Sequence, residues 1–418
     1  MCVARAGQYH HWFVASLTRS TVDQLDASLR PEERQAALAT FEQLSLPSSA
    51  DESWRYVDLD DDFTELDLPL RPGPELAPDQ FAAALSTSAR AVVVDGQPTS
   101  VDGPYLTGTA TVSDLVDPAT DKFAAAHHAF LLGGASVAVP SGTATAEPIL
   151  LEVQAASEGA VSFPHLNVAI GDNAEAELVV LYRSAELQQA TVNPQVEITV
   201  GTGSRLRLLT VQEFGTGVTA VIHQRVRLER DASFRMGEVG LGGALARLDL
   251  GVELAGQGGS SDVVGLFFGH RQQVLDYRMT ITHRGRNTTS DVLLKGAVED
   301  KAQSIFAGLV RIEKGAIRSS SFETNRNLVL SPDAKAHSIP NLEILCDDVM
   351  CGHGSSVGPL EEEHLYYLQS RGLSDQRAER LLVKGFFRQV IDRLPVHGLE
   401  EEVAAVLERR FVASQGAS

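Results

Sequence analysis

Short hydrophobic segments separated by polar turns run through the middle of the chain, from about residue 106 to residue 358. Residues 149–153 (ILLEV), 178–181 (LVVL) and 196–200 (VEITV) are examples. The turns between them are rich in glycine, asparagine and aspartate, as at 171–174 (GDNA) and 201–204 (GTGS). Such short segments with tight turns predict β-strands, and helical periodicity is nearly absent from this region.

The turns recur at a loose repeat of about 27–30 residues, and small-residue turns after Ala302 recur about every 14–18 residues. A repeat of this length over some 250 residues is typical of stacked coils, in which each coil covers the apolar side of its neighbours. We therefore predict a mainly β fold with a solenoid core. A β-sandwich or a jelly roll, which also has short strands and glycine turns, is the alternative.

Helical patterns flank this core on both sides. Near the N-terminus, Pro31 can start a helix that continues to Leu44. Beyond the core, helices are predicted around 365–371, ended by Gly372, then over 378–390 and 399–411. The predicted organisation is a helical or mixed region over 1–105, a β core over 106–358 and a helical region over 359–418.

Charge and cysteine content narrow the cellular role. A formal charge of -20 disfavours nucleic acid and anionic membranes as partners, because phosphate groups repel such a surface. Cys2, Cys346 and Cys351 are too few for a disulfide framework, which indicates a reducing compartment. We find no secretory signal pattern in the first residues and no apolar run of roughly 18 residues, so the predicted location is the cytoplasm.

The sequence lacks the motifs of several classes of enzyme. No G-x-x-x-x-G-K-[ST] segment occurs, so the chain should hold no ATP site of its own. Residues 354–358 fit G-x-S-x-G, but the α/β context of a serine hydrolase is missing. A β-helix enzyme acting on polysaccharides is the rival prediction; it requires paired carboxylates, and no obvious pair is found among Asp262, Asp276, Asp291 and Asp300.

One constellation suits metal or sulfur chemistry: Cys346-x4-Cys351-x-His353, with His337 upstream. Thiolate and imidazole are ligands that soft iron and copper prefer. On a strand, Cys351 and His353 would face the same side, because side chains alternate with a period of two. The alternative is that the cysteines are small core hydrophobes and the histidine is simply hydrogen-bonded.

The C-terminal half contains four distinctive segments: 325–331 (NRNLVLS), 348–354 (DVMCGHG), Val357-Gly358 and 367–372 (YLQSRG). They follow the signature "NRNLLLS…DV-C-S-HGATVG…YL-SRGI". In these segments the chain resembles the SufB/SufD family of iron–sulfur cluster assembly scaffolds. Gly352 and Ser355-Ser356 depart from this signature without changing a candidate ligand. The position of the principal SufB cysteine falls near Asn325, so the chain resembles the SufD branch.

The resemblance implies a right-handed parallel β-helix core with α-helical N- and C-terminal regions. It also implies a non-catalytic scaffold that pairs through its β-helix with a SufB-like subunit, with a homodimer as a further possibility. His353, with Cys351 as a secondary thiol, would hold iron or a transient iron–sulfur cluster at the subunit interface. No role in the family can be transferred to Cys346, and the resemblance leaves open whether a flavin takes part.

The family's C-terminal helices dock a SufC-like ATPase, which fits the missing nucleotide motif. In this chain Tyr367, Arg371, Leu381 and Phe386 are the predicted contact residues. A purely structural solenoid that assembles with copies of itself and binds no such ATPase is the remaining alternative.

Overall fold

The computed structural model describes residues 14–25, 30–59 and 62–415, with side chains described as far as Phe411. Cys2 lies outside the described residues. The first part of the chain forms short elements: β1 (Val14–Ala15), α1 (Arg19–Val22), α2 (Pro31–Gln43), the 3-10 helices Glu52–Trp54 and Phe63–Glu65, β2 (Leu68–Pro69), α3 (Gln80–Ala84), β3 (Ala89–Val94), β4 (Gln97–Asp102), β5 (Leu106–Thr107) and α4 (Lys122–Phe130).

A long series of strands follows. These strands are β6 (Gly134–Val139), β7 (Ile149–Ala155), β8 (Ala160–Ser162), β9 (His165–Ile170), β10 (Glu175–Ser184), β11 (Ala190–Val192), β12 (Gln195–Val200), β13 (Arg205–Glu213), β14 (Val218–Leu228), β15 (Ser233–Gly240), β16 (Leu245–Leu254), β17 (Ser260–Gly269), β18 (Val274–His283), β19 (Thr289–Val298), β20 (Gln303–Ile312), β21 (Ser319–Val329), β22 (Lys335–Ile344) and β23 (Val349–Gly358).

The chain alternates between two long parallel sheets. The first sheet contains β7, β10, β13 and the odd-numbered strands from β15 to β23; the second contains β6, β9, β12 and the even-numbered strands from β14 to β22. Each strand pairs in register with the strand one coil later, as Ser233 does with Ser260 and Ser319 with Val349. The predicted parallel β-helix is confirmed, and its coils number about eight.

The predicted turn spacings have a direct structural meaning. The longer repeat corresponds to one complete coil, because strands one coil apart are neighbours in the same sheet. The shorter repeat late in the chain corresponds to half a coil, because β20, β21, β22 and β23 alternate between the two sheets. Inward-facing side chains of both sheets form one continuous apolar core along most of the solenoid.

Helices α1, α2 and α4 and both 3-10 helices pack on the outside of the second sheet, whereas α3 packs on the first sheet. Trp54 stacks on Phe123 with ring centroids 5.5 Å apart, and the Arg247 guanidinium of strand β16 lies 4.1 Å above the Trp54 ring. Arg247 also pairs with buried Asp276 and donates to the Ser53 carbonyl at 2.8 Å. This network fixes the first 3-10 helix on the sheet.

The last three elements are helical, as predicted: α5 (Glu362–Ser370), α6 (Asp375–Ile391) and α7 (Glu400–Gln415). Helices α6 and α7 pack on the outer face of the first sheet through Phe387, Val390, Leu407 and other buried apolar residues. Gly372 ends α5 with a φ of +91°, a conformation that favours glycine. None of the helices in the described part of the chain has the length and apolar composition that a bilayer span requires.

Candidate functional site

The two ends of the solenoid differ. At the N-terminal end, antiparallel strands β4 and β5 border the two sheets. At the C-terminal end, β22 pairs only with β20 and β23 pairs only with β21 within the described residues. The last coil therefore presents two open strand edges, whose backbone groups can accept further strands.

The inner face of the core becomes polar in strand β21. Its inward-facing, buried residues include Ser321, Glu323, Asn325 and Asn327. One coil earlier, the positions in register with the last three are Val292, Leu294 and Gly296. The Asn327 side-chain amide donates to the side-chain oxygen Oδ1 of Asn325 at 2.6 Å. Polar side chains thus replace the apolar filling just before the open end.

The last coil continues this polar column. Strand β23 places Cys351, His353 and Ser355 in register with Ser321, Glu323 and Asn325, so these side chains belong to the same face. The Ser355 hydroxyl donates to the Ser338 hydroxyl of β22 at 2.8 Å, which joins the two sheets across the coil. Cys351 and His353 are exposed to different degrees: Cys351 is half-buried and His353 is exposed. We call the inner face of β21 and β23 the polar end of the core.

A column of hydroxyl groups leads from the interior towards Cys351. His283 contacts the Ser290 hydroxyl through Nε2 at 2.9 Å, and Ser290 contacts Ser321 at 2.7 Å. Ser321 is the register neighbour of Cys351. Burial lowers the pKa of His283 to about 4 and raises the pKa of the Cys351 thiol, so both groups are neutral at pH 7.

The structure brings together only some of the residues that the sequence predicts for metal or sulfur chemistry. Cys351 packs against a small cluster that includes Cys346, which is buried. His337 does not join them: its ring stacks on Tyr56 with centroids 4.2 Å apart, against the N-terminal region. Within the described residues, no three His, Cys, Asp or Glu side chains are close enough together to hold a metal ion.

The carboxylates considered for a polysaccharide-active enzyme are engaged elsewhere. Asp262 and Asp291 are register neighbours, a pairing not evident from the sequence, and Arg393 contacts both at 2.9 Å. Asp276 is buried in its ion pairs. The G-x-S-x-G segment lies along edge strand β23 and does not form a strand-to-helix turn.

The predicted docking residues lie on α5 and α6. Tyr367, Arg371 and Leu381 are exposed, and the Arg371 guanidinium lies 5.3 Å above the Tyr367 ring. Phe386 is half-buried, with the Lys295 ammonium group 4.4 Å above its ring. A groove lined by Phe386 and Leu382 of α6, His364 of α5, and Ser356, Val357 and Gly358 connects these helices with the end of β23.

Buried Lys295 fixes helix α6 on the first sheet, since its ammonium group donates to the Phe386 carbonyl at 2.8 Å. Replacing Lys295 by methionine is expected to lower the free energy of opening α6 by about 1.5–3 kcal/mol, the usual contribution of a hydrogen bond to a charged group. Hydrogen exchange of α6 amides measures this quantity. Lys384→Met, at an exposed position of the same helix, is the matched control; equal exchange in both variants would contradict the anchoring role.

Glu323 was missed by the sequence analysis. It is buried, burial raises its pKa to about 7, and neither carboxylate oxygen has a hydrogen-bond partner. The segment 319–327 (SSSFETNRN) contains polar residues at both odd and even positions, so hydrophobic alternation gives no indication of its inner face. The available signal was the strand register, which places Glu323 beside His353.

Known proteins are similar to this chain over most of its length. Residues 153–386 match the protein-family model described as "SUF system FeS cluster assembly, SufBD core domain". The chain is 30% identical over 374 residues to the iron-sulfur cluster assembly SufBD family protein Rv1462 of Mycobacterium tuberculosis, covering 88% of this chain and 89% of that protein. It is 26% identical to Escherichia coli iron-sulfur cluster assembly protein SufD, covering 97% of this chain and 96% of that protein. Bacillus subtilis SufD is 30% identical over 293 residues, covering 69% of this chain and 67% of that protein.

Proposed function

Because this chain belongs to the SufBD family of the SUF system for iron–sulfur cluster assembly, we propose that it is a SufD-like, non-catalytic scaffold subunit. It pairs through the open end of its solenoid with a SufB-like subunit and contributes His353 and Cys351 to a site for iron or the nascent cluster. The observation that carries the proposal is the polar end of the core, where these two side chains lie at an uncovered coil.

The open strand edges support pairing with another solenoid. Strands β22 and β23 each have a neighbour on one side only within the described residues. A second solenoid can continue both sheets through backbone hydrogen bonds, as in other cases of strand addition. Exposed Ile344 and Val357 on these strands would lose their contact with water in such an interface. A second copy of this chain can meet the same requirement, so a homodimer competes with the heterodimer.

The donor atoms fit iron as a substrate of assembly. A thiolate and a neutral imidazole are suitable ligands, so the cysteine binds after its thiol has lost its proton and the histidine binds through the ring nitrogen that carries none. Because burial favours the protonated thiol, Cys351 needs the metal to drive its ionisation. Two donors leave coordination positions vacant, so the partner subunit and sulfide would supply the others. His353 is the principal ligand in this proposal and Cys351 the secondary one.

The C-terminal helices supply the second contact. Tyr367, Arg371 and Leu381 form an exposed surface for a SufC-like ATPase, with Phe386 at its edge. The groove from Phe386 to Val357 connects this surface to the last coil. Movement of the bound ATPase would therefore act on the open end and change the exposure of the site.

The test is co-expression with SufB-like and SufC-like partners, followed by measurement of complex size, iron and acid-labile sulfide. His353→Ala is expected to leave the complex intact, because His353 is exposed, and to reduce iron and sulfide content by about tenfold or more. His397→Ala, at an exposed histidine beside Glu400, is the control. Unchanged cluster content in His353→Ala would remove the ligand role, and a complex of this chain alone would favour the homodimer.

A further inference from the structure

Glu323 is a buried acid with no partner in the fold. Its side chain is 1% exposed and lies on the inner face of β21. Neither oxygen of its carboxylate accepts a hydrogen bond from any described residue. Space for the carboxylate exists because residue 308 is glycine: a Cβ atom there would overlap both oxygens.

The other buried acids of the core region are bonded. Glu152 pairs with Arg183 at 2.5 Å, and Asp276 pairs with Arg247 and Arg278. Glu197 accepts hydrogen bonds from three backbone N–H groups, and Glu238 accepts one from the Thr210 hydroxyl. A buried carboxylate without a donor destabilises the folded chain, so its presence at Glu323 calls for a reason outside the fold.

The position of Glu323 supplies that reason. Its register neighbour one coil later is His353, and parallel neighbours direct their side chains to the same face. His353 is exposed, and no hydrogen bond among the described residues fixes its ring. The neighbour of His353 on the preceding strand is thus Glu323. Within the described part of the chain, the Glu323 carboxylate has no hydrogen-bond partner, and no hydrogen bond holds the His353 ring.

We infer that Glu323 is a positioning residue for His353: its carboxylate accepts a hydrogen bond from one ring N–H of His353 when the other ring nitrogen binds iron. This inference rests on the proposed function of His353. A histidine that ligates a metal usually donates its second ring N–H to a carboxylate, which fixes the ring and increases its basicity. Covering of the open end by the partner subunit would turn the exposed ring inward, towards Glu323. The carboxylate acts through His353 and is not itself a ligand.

The test uses Co(II), added to the purified complex of this chain with its SufB-like partner and followed by its visible absorption. Glu323→Met is expected to weaken Co(II) binding by about 10–100-fold, the usual effect of removing an outer-sphere partner. Glu323→Gln keeps one acceptor oxygen and is expected to bind with intermediate affinity. Glu238→Met, the same change three coils earlier, is the matched control and is expected to bind Co(II) like the unmodified chain.

Thermal unfolding separates positioning from a merely structural role. Glu323→Met removes an unpaired acid, so its melting temperature is expected to stay the same or rise while Co(II) binding weakens. A lower melting temperature with unchanged Co(II) affinity would overturn the inference and leave His353 as a ligand. If His353→Ala binds Co(II) as the unmodified complex does, or if the unmodified complex binds none, the proposed site fails, and the inference fails with it.

Discussion

Replacing Asp276 by alanine is expected to lower the free energy of unfolding by about 3–5 kcal/mol, the usual cost of removing one partner from a buried ion pair. Asp276 is fully buried and pairs with both Arg247 and Arg278. Its loss removes the carboxylate that pairs directly with the Arg247 guanidinium, which is 2% exposed and lies against the Trp54 ring. Chemical denaturation monitored by tryptophan fluorescence measures the effect directly.

Two further variants separate the effect of the buried ion pair from the effect of losing an aspartate at the surface. Asp348→Ala removes an exposed aspartate that contacts Arg318 at 3.7 Å, and its effect is expected to stay below about 1 kcal/mol. The double variant Arg247→Met/Asp276→Leu removes both charges of the close pair and is expected to regain much of the lost stability. If Asp276→Ala unfolds at the same denaturant concentration as Asp348→Ala, the buried pair does not hold the N-terminal region in place.

The contribution of Glu238 to stability is expected to become less favourable as the pH rises from about 4.5 to about 7, and Glu238→Gln is expected to remove this part of the pH dependence. Glu238 lies inside the solenoid, where burial raises its pKa to about 7 although the Thr210 hydroxyl donates to it. In this pH range the folded chain holds a proton on Glu238 that the unfolded chain has lost, so raising the pH favours unfolding. The raised pKa of Glu238 lowers the free energy of unfolding by roughly 3 kcal/mol above pH 7. It has no effect below the pKa that Glu238 has in the unfolded chain.

The measurement is the free energy of unfolding between pH 4.5 and pH 8 for the unmodified chain and for Glu238→Gln. The variant is expected to gain stability mainly at the alkaline end, by at most roughly 3 kcal/mol. Glu343→Gln, at a glutamate of β22 whose side chain is 43% exposed, is the control and should show the same pH dependence as the unmodified chain. Parallel curves for Glu238→Gln and the unmodified chain would show that this carboxyl does not titrate with folding.

Much of the fold could be predicted because its determinants are local. Turn residues at regular spacing mark the coils, and Pro31 and Gly372 mark a helix start and a helix end. The apolar stripe over 378–390 predicts α6 because that face packs against the first sheet. In each case, neighbouring residues in the sequence carry the physical cause.

The candidate site depends on contacts between coils, which sequence spacing does not specify. Glu323 and His353 are 30 residues apart and become neighbours only through the register of β21 and β23. His337 is closer to His353 in sequence, yet it lies on Tyr56 because β22 belongs to the other sheet. A polar inner face also breaks the rule that buried strand positions are apolar, so Glu323 resembled a surface residue.

The solenoid is bordered by antiparallel strands at its N-terminal end and is open at its C-terminal end. This difference implies that local stability decreases along the axis towards the last coil. In stacked repeats, each unit is stabilised mainly by its two neighbours, so a terminal unit without a cap opens at the lowest free energy. Amide protons of β22 and β23 should therefore exchange fastest among the long strands when the chain is alone. Docking of another protein would supply the missing neighbour, and the last coil, with the proposed ligands Cys351 and His353, would then become rigid.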